Sequence, residues 1–211
     1  MIITLKDGSK KEYAEAKSVI DVAFDISEAC AGEVDGEVVD LRTVLDKDCE
    51  LNILTARDEK GLAVLRHTAS HVMAEAVQTL FPEAKVAIGP SIDTGFYYDF
   101  ECQSFSRDDL DAIEKEMKKI IKKGAKIERF TKSREDAIAF FKEKNEPYKV
   151  ELIEDLPEGE EISFYSQGDW VDLCAGPHLM STKGIKAFKL LSSSGAYWRG
   201  DENKHMMTRI Y

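Results

Sequence analysis

Four side chains able to bind a metal or move protons fall in two short motifs. His67 and His71 stand four residues apart in a stretch of helical periodicity, so both imidazoles project from one helix face. Cys174 and His178 stand four apart within Asp172-Leu173-Cys174-Ala175-Gly176-Pro177-His178, where a Gly-Pro turn can aim them back at a common point. Three of the chain's four histidines lie in these motifs.

Two chemistries suit this set. Neutral imidazoles and a thiolate are good zinc ligands, and three or four of them complete a tetrahedral shell. Alternatively the groups act directly. His67, with an ordinary pKa of about 6.5, can take a proton from water near neutral pH while a nearby ammonium or backbone amide stabilises an oxyanion. Lys149 is the candidate ammonium, unless it simply faces solvent after Tyr148. Asp172 could orient a histidine, hold a substrate ammonium or cap a turn. Cys174 as a histidine-activated nucleophile ranks lower, because thiol attack gives the paired helical histidines no shared purpose. Tyr197, Trp198 and Arg199 could stack on and pair with a nucleotide, or could close a strand end around a buried tryptophan.

The elements that must position these groups are legible as an α+β pattern in two modules, residues 1–61 and 62–211. In the first, Ile2 to Leu5, an Asp7-Gly8 turn and the stretch around Tyr13 predict a hairpin. Ser18 caps a helix carrying Val19, Val22, Ala23, Ile26 and Ala29, ended by Ala31-Gly32. A short strand near Val34, a turn at Asp35-Gly36, Val38 to Leu41 and a strand from Cys49 to Leu54 follow. One helix on one mixed sheet in this order is a small β-grasp, ubiquitin-like arrangement.

In the second module a long helix runs to about Leu80, and Phe81-Pro82 stops it. Val86 to Cys102 reads as a hairpin through Gly89-Pro90 and Thr94-Gly95. Ser106 opens a helix that Gly124 ends, with Leu110, Ile113, Met117, Ile120 and Ile121 as its apolar stripe. Ile127 to Phe130 reads as a strand and Ser133 to Lys144 as a helix. Pro147 starts a partly exposed segment through Tyr148 and Lys149. Strands are expected at Ile162 to Tyr165, Trp170 to Leu173, Ile185 to Leu191, Ala196 to Arg199 and Met206 to Ile210. The module should pack helices on one face of an antiparallel or mixed sheet.

Composition limits the function classes. At 211 residues and 43% hydrophobic content the chain can bury real cores. No apolar run approaches the roughly 20 residues needed to span a bilayer, and Met1 to Gly8 lacks the features of a signal peptide, so a cytoplasmic location without membrane partners is expected. Cys30, Cys49, Cys102 and Cys174 are too scattered to suggest a disulfide framework. A net charge of -11 argues against nonspecific nucleic-acid binding. Acidic groups outnumber basic ones 15 to 8 through residue 61 and only 25 to 21 after it. Local basic surface therefore belongs to the second module, at Lys118, Lys119, Lys122 and Lys123 or at Lys183, Lys186, Lys189 and Arg199. The first cluster also fits a solvated helix end whose cations favour the negative end of the dipole.

The motifs resemble, in type and order, the N-terminal region of bacterial threonyl-tRNA synthetases. The resemblance covers the TGS-like first module, His67-x-x-x-His71, Gly89-Pro90-Ser91-Ile92-Asp93-Thr94-Gly95-Phe96-Tyr97-Tyr98-Asp99, Asp172 to His178, and Gly195-Ala196-Tyr197-Trp198-Arg199-Gly200-Asp201. The two histidine-containing pairs also occur in alanyl-tRNA synthetase editing modules, where the four groups ligate zinc.

What the resemblance implies is hydrolytic proofreading, the removal of serine wrongly esterified to threonine tRNA. His67 would activate or position water, and Lys149 would stabilise developing charge or hold the terminal adenosine. His71, Asp172, Cys174 and His178 would bind the seryl group and terminal ribose, with no metal required. The partners implied are tRNA(Thr), through its terminal adenosine and seryl ester, and the remainder of the synthetase. The chain stops at Tyr211, short of an aminoacylation domain, so an excised fragment or stand-alone relative that does not itself charge tRNA is expected. The alternatives are a zinc-dependent hydrolase of the alanyl editing kind, with the metal on His67, His71, Cys174 and His178, and an RNA-binding or regulatory module without enzyme activity.

Overall fold

The computed structural model describes residues 1–211, and its first sheet is built by the chain's early hydrophobic alternation. Five strands lie in the order Lys10–Glu12, Ile2–Leu5, Cys49–Thr55, Ala29–Val34 and Glu37–Val39. Ile2–Leu5 runs parallel to Cys49–Thr55, and the other neighbours are antiparallel. Ile3, Val19, Val22, Leu41, Leu45 and Leu51 form the core between this sheet and the single helix α1, Val19–Val22.

Helix α1 is shorter than its sequence pattern predicts. Ser18 caps it by accepting from the Asp21 amide, but it covers only Val19–Val22. Ala29–Val34, expected to contain the helix end, is instead a strand paired with both Cys49–Thr55 and Glu37–Val39. β-branched residues crowd the helical turn, and a two-sided ladder for Ala29–Val34 outweighs the apolar spacing of Ile26 and Ala29.

Helix α2, Glu59–Leu80, follows the last strand of this sheet almost directly. Its Val64, Ala69, Val72, Met73, Ala76 and Val77 are buried in one core with Cys30, Ala31 and Leu54 of the first sheet. Helix α3, Arg107–Lys123, packs along α2. It begins at Ser106 as expected, there forming a capping box with Asp109, and ends at Gly124, whose φ of 65° closes the last turn in the left-handed region.

The remaining strands divide between two antiparallel sheets rather than forming one. The first has the order Ser193–Tyr197, Met206–Ile210, Tyr98–Glu101 and Lys85–Val86. The second has the order Ile127–Thr131, Ser163–Gln167 and Trp170–Leu173. Helices α4, Arg134–Glu143, and α5, Pro147–Glu154, cover the three-stranded sheet through Phe141, Val150, Ile153 and Phe164. A small hairpin joins Ser91–Ile92 to Gly95–Phe96.

Two further expectations change. Ile185 to Leu191 forms no strand, since a short 3₁₀ turn, Thr182–Gly184, leads into irregular chain. Ile185 and Leu190 are each buried, and Glu114 takes the Leu190 amide hydrogen bond that a neighbouring strand would otherwise provide. The segment from Pro147, expected to be partly exposed, is the start of α5, with Pro147 in its first turn and Tyr148 and Lys149 buried.

Candidate functional site

The site forms where α2 meets both sheets of the second module. Gln167 and Trp170 of the three-stranded sheet bond the α2 residues Glu75 and Gln78, while Tyr98 of the four-stranded sheet packs against His71. The chain after Trp170–Leu173 then turns back across α2 through Cys174 to His178.

That turn brings the two sequence pairs together. The ligand-capable atoms of His67, His71, Cys174 and His178 lie within 4.8 Å of one another. Cys174 Sγ is 3.4 Å from His67 Nε2 and 3.2 Å from His178 Nε2. The ring of His178 lies 4.2 Å from those of both His67 and His71. Thr68, between the two histidines on α2, has its Oγ1 2.9 Å from His178 Nδ1 and accepts from the Leu179 amide at 3.1 Å. The second nitrogen of His178 is thereby anchored and the first is aimed at Cys174.

Behind the tetrad sits a buried polar trio. Lys149 Nζ, delivered by α5, lies 2.7 Å from Asp172 Oδ1 and donates to the Tyr98 hydroxyl at 3.0 Å. Tyr98 in turn donates to Asp172 Oδ2 at 2.7 Å, and that same oxygen is 3.5 Å from His71 Nε2. Lys149 and Asp172 are 2% and 1% exposed, so this pair works in a low dielectric.

Burial sets the protonation states. It lowers His67, and it takes His71 down to about 3 although the Asp172 carboxylate opposes it. His178 falls well below its ordinary value because burial is reinforced by the neighbouring imidazoles. All three rings are neutral at pH 7. Burial also pushes the Cys174 thiol up to about 12, which keeps it protonated and removes the driving force for nucleophilic attack. Asp172 goes the other way. Burial is the largest single influence and opposes its charge, but the Lys149 ammonium and the hydrogen bonds from Lys149 and Tyr98, with its other neighbours, together hold the carboxyl below its usual range.

One edge of the tetrad is open. A cleft of about 270 Å³ reaches His67 between Val38, Lys60, Val64, Ser91 and Pro177. His71, His178, Asp172 and Lys149 are buried behind it.

The sequence-derived candidates outside this cluster have other tasks. Trp198 is 3% exposed, packs on Tyr148 and donates to Glu151, while Arg199 pairs with Asp155. These contacts bind the end of Ser193–Tyr197 to α5, leaving no open tryptophan face for a base. Lys118, Lys122 and Lys186 do line one surface groove between α3 and the chain around Ala187. Tyr98, Thr68, Tyr165, Asp40 and Arg42 belong to the site's surroundings but were not read from sequence. Their bonds to Asp172, His178 and Leu179, and that between Tyr165 and Asp40, span 74 to 138 residues, beyond any local spacing signal.

Comparison with known proteins finds a family model that matches part of each module. Residues 1–55 match the TGS domain, and residues 162–211 match the threonyl and alanyl tRNA synthetase second additional domain. The second match contains Asp172, Cys174 and His178. Over its whole length the chain is similar to threonine–tRNA ligases. The similarity is to the N-terminal region of those ligases, with the TGS and second additional domain models matched along it. Identity is 60% to the ligase of Acetivibrio thermocellus over 99% of this chain, 56% to that of Caldanaerobacter subterraneus over 100%, and 60% to that of Clostridium botulinum strain Hall over 99%. The chain spans 34% of the length of each of these relatives. No helix is long and apolar enough to cross a membrane.

Proposed function

We propose that this chain hydrolyses the seryl ester of mischarged tRNA(Thr), acting in the cytoplasm as the proofreading part of a threonine–tRNA ligase. Residues 1–61 form its TGS-like domain and 62–211 its editing domain. The observation that carries the proposal is the placement of neutral His67 at the open cleft, with the other imidazoles and the Lys149–Asp172 pair enclosed behind it.

Water held at His67 gives up a proton to the ring as its oxygen attacks the seryl carbonyl carbon. The tetrahedral oxyanion then collapses and breaks the ester bond. The departing ribose oxygen takes the proton back from His67, releasing serine and uncharged tRNA. Lys149, enclosed below the tetrad, acts on developing charge by balancing the Asp172 carboxylate that faces His71 rather than by reaching solvent. His71, Asp172, Cys174 and His178 shape the pocket for the seryl group and terminal adenosine. The need for such a site is energetic, since one methyl group gives a threonine pocket only about 1–3 kcal/mol of discrimination against serine.

A second reading has a specific observation in its favour. The Cys174–His67 and Cys174–His178 separations approximate the edges of a zinc tetrahedron, about 3.4–3.8 Å for ordinary ligand bond lengths. His67, His71, Cys174 and His178 would hold the ion, which would polarise a water. Binding would have to displace the thiol proton that burial retains on Cys174.

The deciding experiment compares deacylation of seryl-, threonyl- and alanyl-tRNA by the same sample before and after chelation, with metal analysis. Selective seryl hydrolysis that survives chelation is expected. Activity lost on chelation and restored by zinc establishes the metal-dependent hydrolase instead, and tRNA binding without hydrolysis of any ester establishes a binding module.

A further inference from the structure

The turn that carries Cys174 and His178 lies outside regular secondary structure, so its backbone groups need other partners. Ser163, Thr68 and the Cys174 sulfur serve some of them, and the groups of His178 and the Leu179 carbonyl are served by the first module. Arg42 donates from Nη1 to the His178 carbonyl at 3.2 Å, and from Nη2 to the Leu179 and Ile127 carbonyls at 2.7 and 2.6 Å. Asp40 Oδ2 accepts the His178 amide at 3.1 Å and the Tyr165 hydroxyl at 2.7 Å. The two side chains are themselves joined, with Arg42 Nη1 2.9 Å from Asp40 Oδ1. Both are largely enclosed, at 16% and 11% side-chain exposure.

The link extends to the ring of His178. Tyr165, fixed by Asp40, meets that imidazole edge-on with centroids 4.6 Å apart. His178 is thus oriented by three groups. Thr68 holds its Nδ1, Tyr165 abuts its ring, and Asp40 with Arg42 holds its amide and carbonyl. Val38, from the same first-module segment, lines the cleft at His67.

We propose that Asp40 and Arg42 are positioning residues for the editing site, which makes the TGS-like module a structural component of that site. They touch no reacting atom. Their action is to fix the main chain at His178 and Leu179, and through it the spacing of His178 and Cys174 from His67. An ammonium cannot replace the planar guanidinium, which bridges three carbonyls and a carboxylate in one geometry. This inference rests on the hydrolytic function proposed above for its kinetic consequence, but not for its geometric one.

The test uses Arg42→Lys and Asp40→Asn in the full chain, with two readouts. The first is the set of imidazole ring NMR signals, which a chain with four histidines keeps few enough to assign singly. The signals of His178 and His67 should shift while that of His205 stays. The second is seryl-tRNA hydrolysis, in which kcat should fall about 10- to 100-fold with KM within about twofold, the range for outer-layer partners that orient functional groups. Unmoved histidine signals with unchanged kcat overturn the proposal, and so does a rise in KM alone, which would make Arg42 a substrate contact. If the parent chain hydrolyses no ester, the hydrolytic function fails while shifted ring signals still support the positioning role. Should either variant fail to fold, Tyr165→Phe removes only one hydroxyl of the network. It must then move the His178 signal and lower kcat, or the proposal falls.

Discussion

Lys149 and Asp172 meet at 2.7 Å on the floor of the tetrad, each almost without solvent contact. They arrive from different elements, α5 and the strand Trp170–Leu173, and the Tyr98 hydroxyl bridges them from a third. The pair therefore ties the helix cover to both sheets at the point where the site is built. Its balance depends on both members, because either charge left alone has no water to turn to.

Lys149→Met should consequently destabilise the fold by about 3–5 kcal/mol, the usual consequence of removing one member of a buried pair. Adding Asp172→Asn should recover part of that loss by removing the stranded charge. Urea unfolding of the two single variants and the double variant measures this. Equal stability of Lys149→Met and the double variant would show that Asp172 is not held charged by Lys149.

His67 and His71 sit one helical turn apart yet should respond differently to truncation. His67→Ala opens into an existing cleft, so its main effect should be kinetic, with seryl-ester hydrolysis falling about 10²- to 10⁴-fold at nearly constant stability. His71→Ala removes a buried ring beside Asp172 and should lower both activity and melting temperature. Normal turnover by His67→Ala would remove the water-handling role.

The difference between those residues was not legible in sequence, although their pairing was. Helical spacing placed His67 and His71 on one face, and the Cys174–His178 turn was recognisable by its mixture of residue types. The limits of α3 were legible too, because Ser106 and Gly124 act through local backbone bonds. Lys149 reads from sequence as a candidate in a partly exposed segment, and its setting is instead a buried one. Its burial comes from α5 docking on the three-stranded sheet, a tertiary event with no local signature. The same holds for Ala29–Val34, where pairing on both edges overrides helical spacing, and for Arg42, whose carbonyl partners are 85 to 137 residues away.

Stability should fall as pH drops from about 7.5 toward 5. His67, His71 and His178 have folded pKa values below their ordinary 6.5, His71 at about 3, so the unfolded chain binds protons that the folded chain refuses. Their contribution is full above the unfolded value and is lost as pH falls toward the folded ones, at up to about 1.4 kcal/mol per pH unit for each ring. Glu75 and Glu146, raised chiefly by burial, act with opposite sign in the acid range. Comparing the chain with His71→Gln isolates one ring. The variant's stability should depend less steeply on pH between 6 and 4 in denaturant titrations, and identical slopes would contradict the neutral, buried state of His71.

Gly89 controls the trio from the side. A Cβ built there would stand 2.0 Å from Cδ2 and 2.7 Å from Cε2 of Tyr98, whose ring is wholly buried. Gly89→Ala must therefore displace either the loop before Ser91–Ile92 or the tyrosine. Overpacking of this kind costs about 1–3 kcal/mol, and for a chain of this length each kcal/mol lowers the melting temperature by about 2–4 °C. Displacing Tyr98 would also draw its hydroxyl from between Lys149 and Asp172, so Gly89→Ala should lose seryl-ester hydrolysis at temperatures where it remains folded. Tyr98→Phe separates the two effects, since it keeps the ring's volume and deletes only the bridging oxygen. If Gly89→Ala retains full activity while Tyr98→Phe loses it, the loop yields and the tyrosine stays. If both retain full activity, the bridging hydroxyl has no part in catalysis.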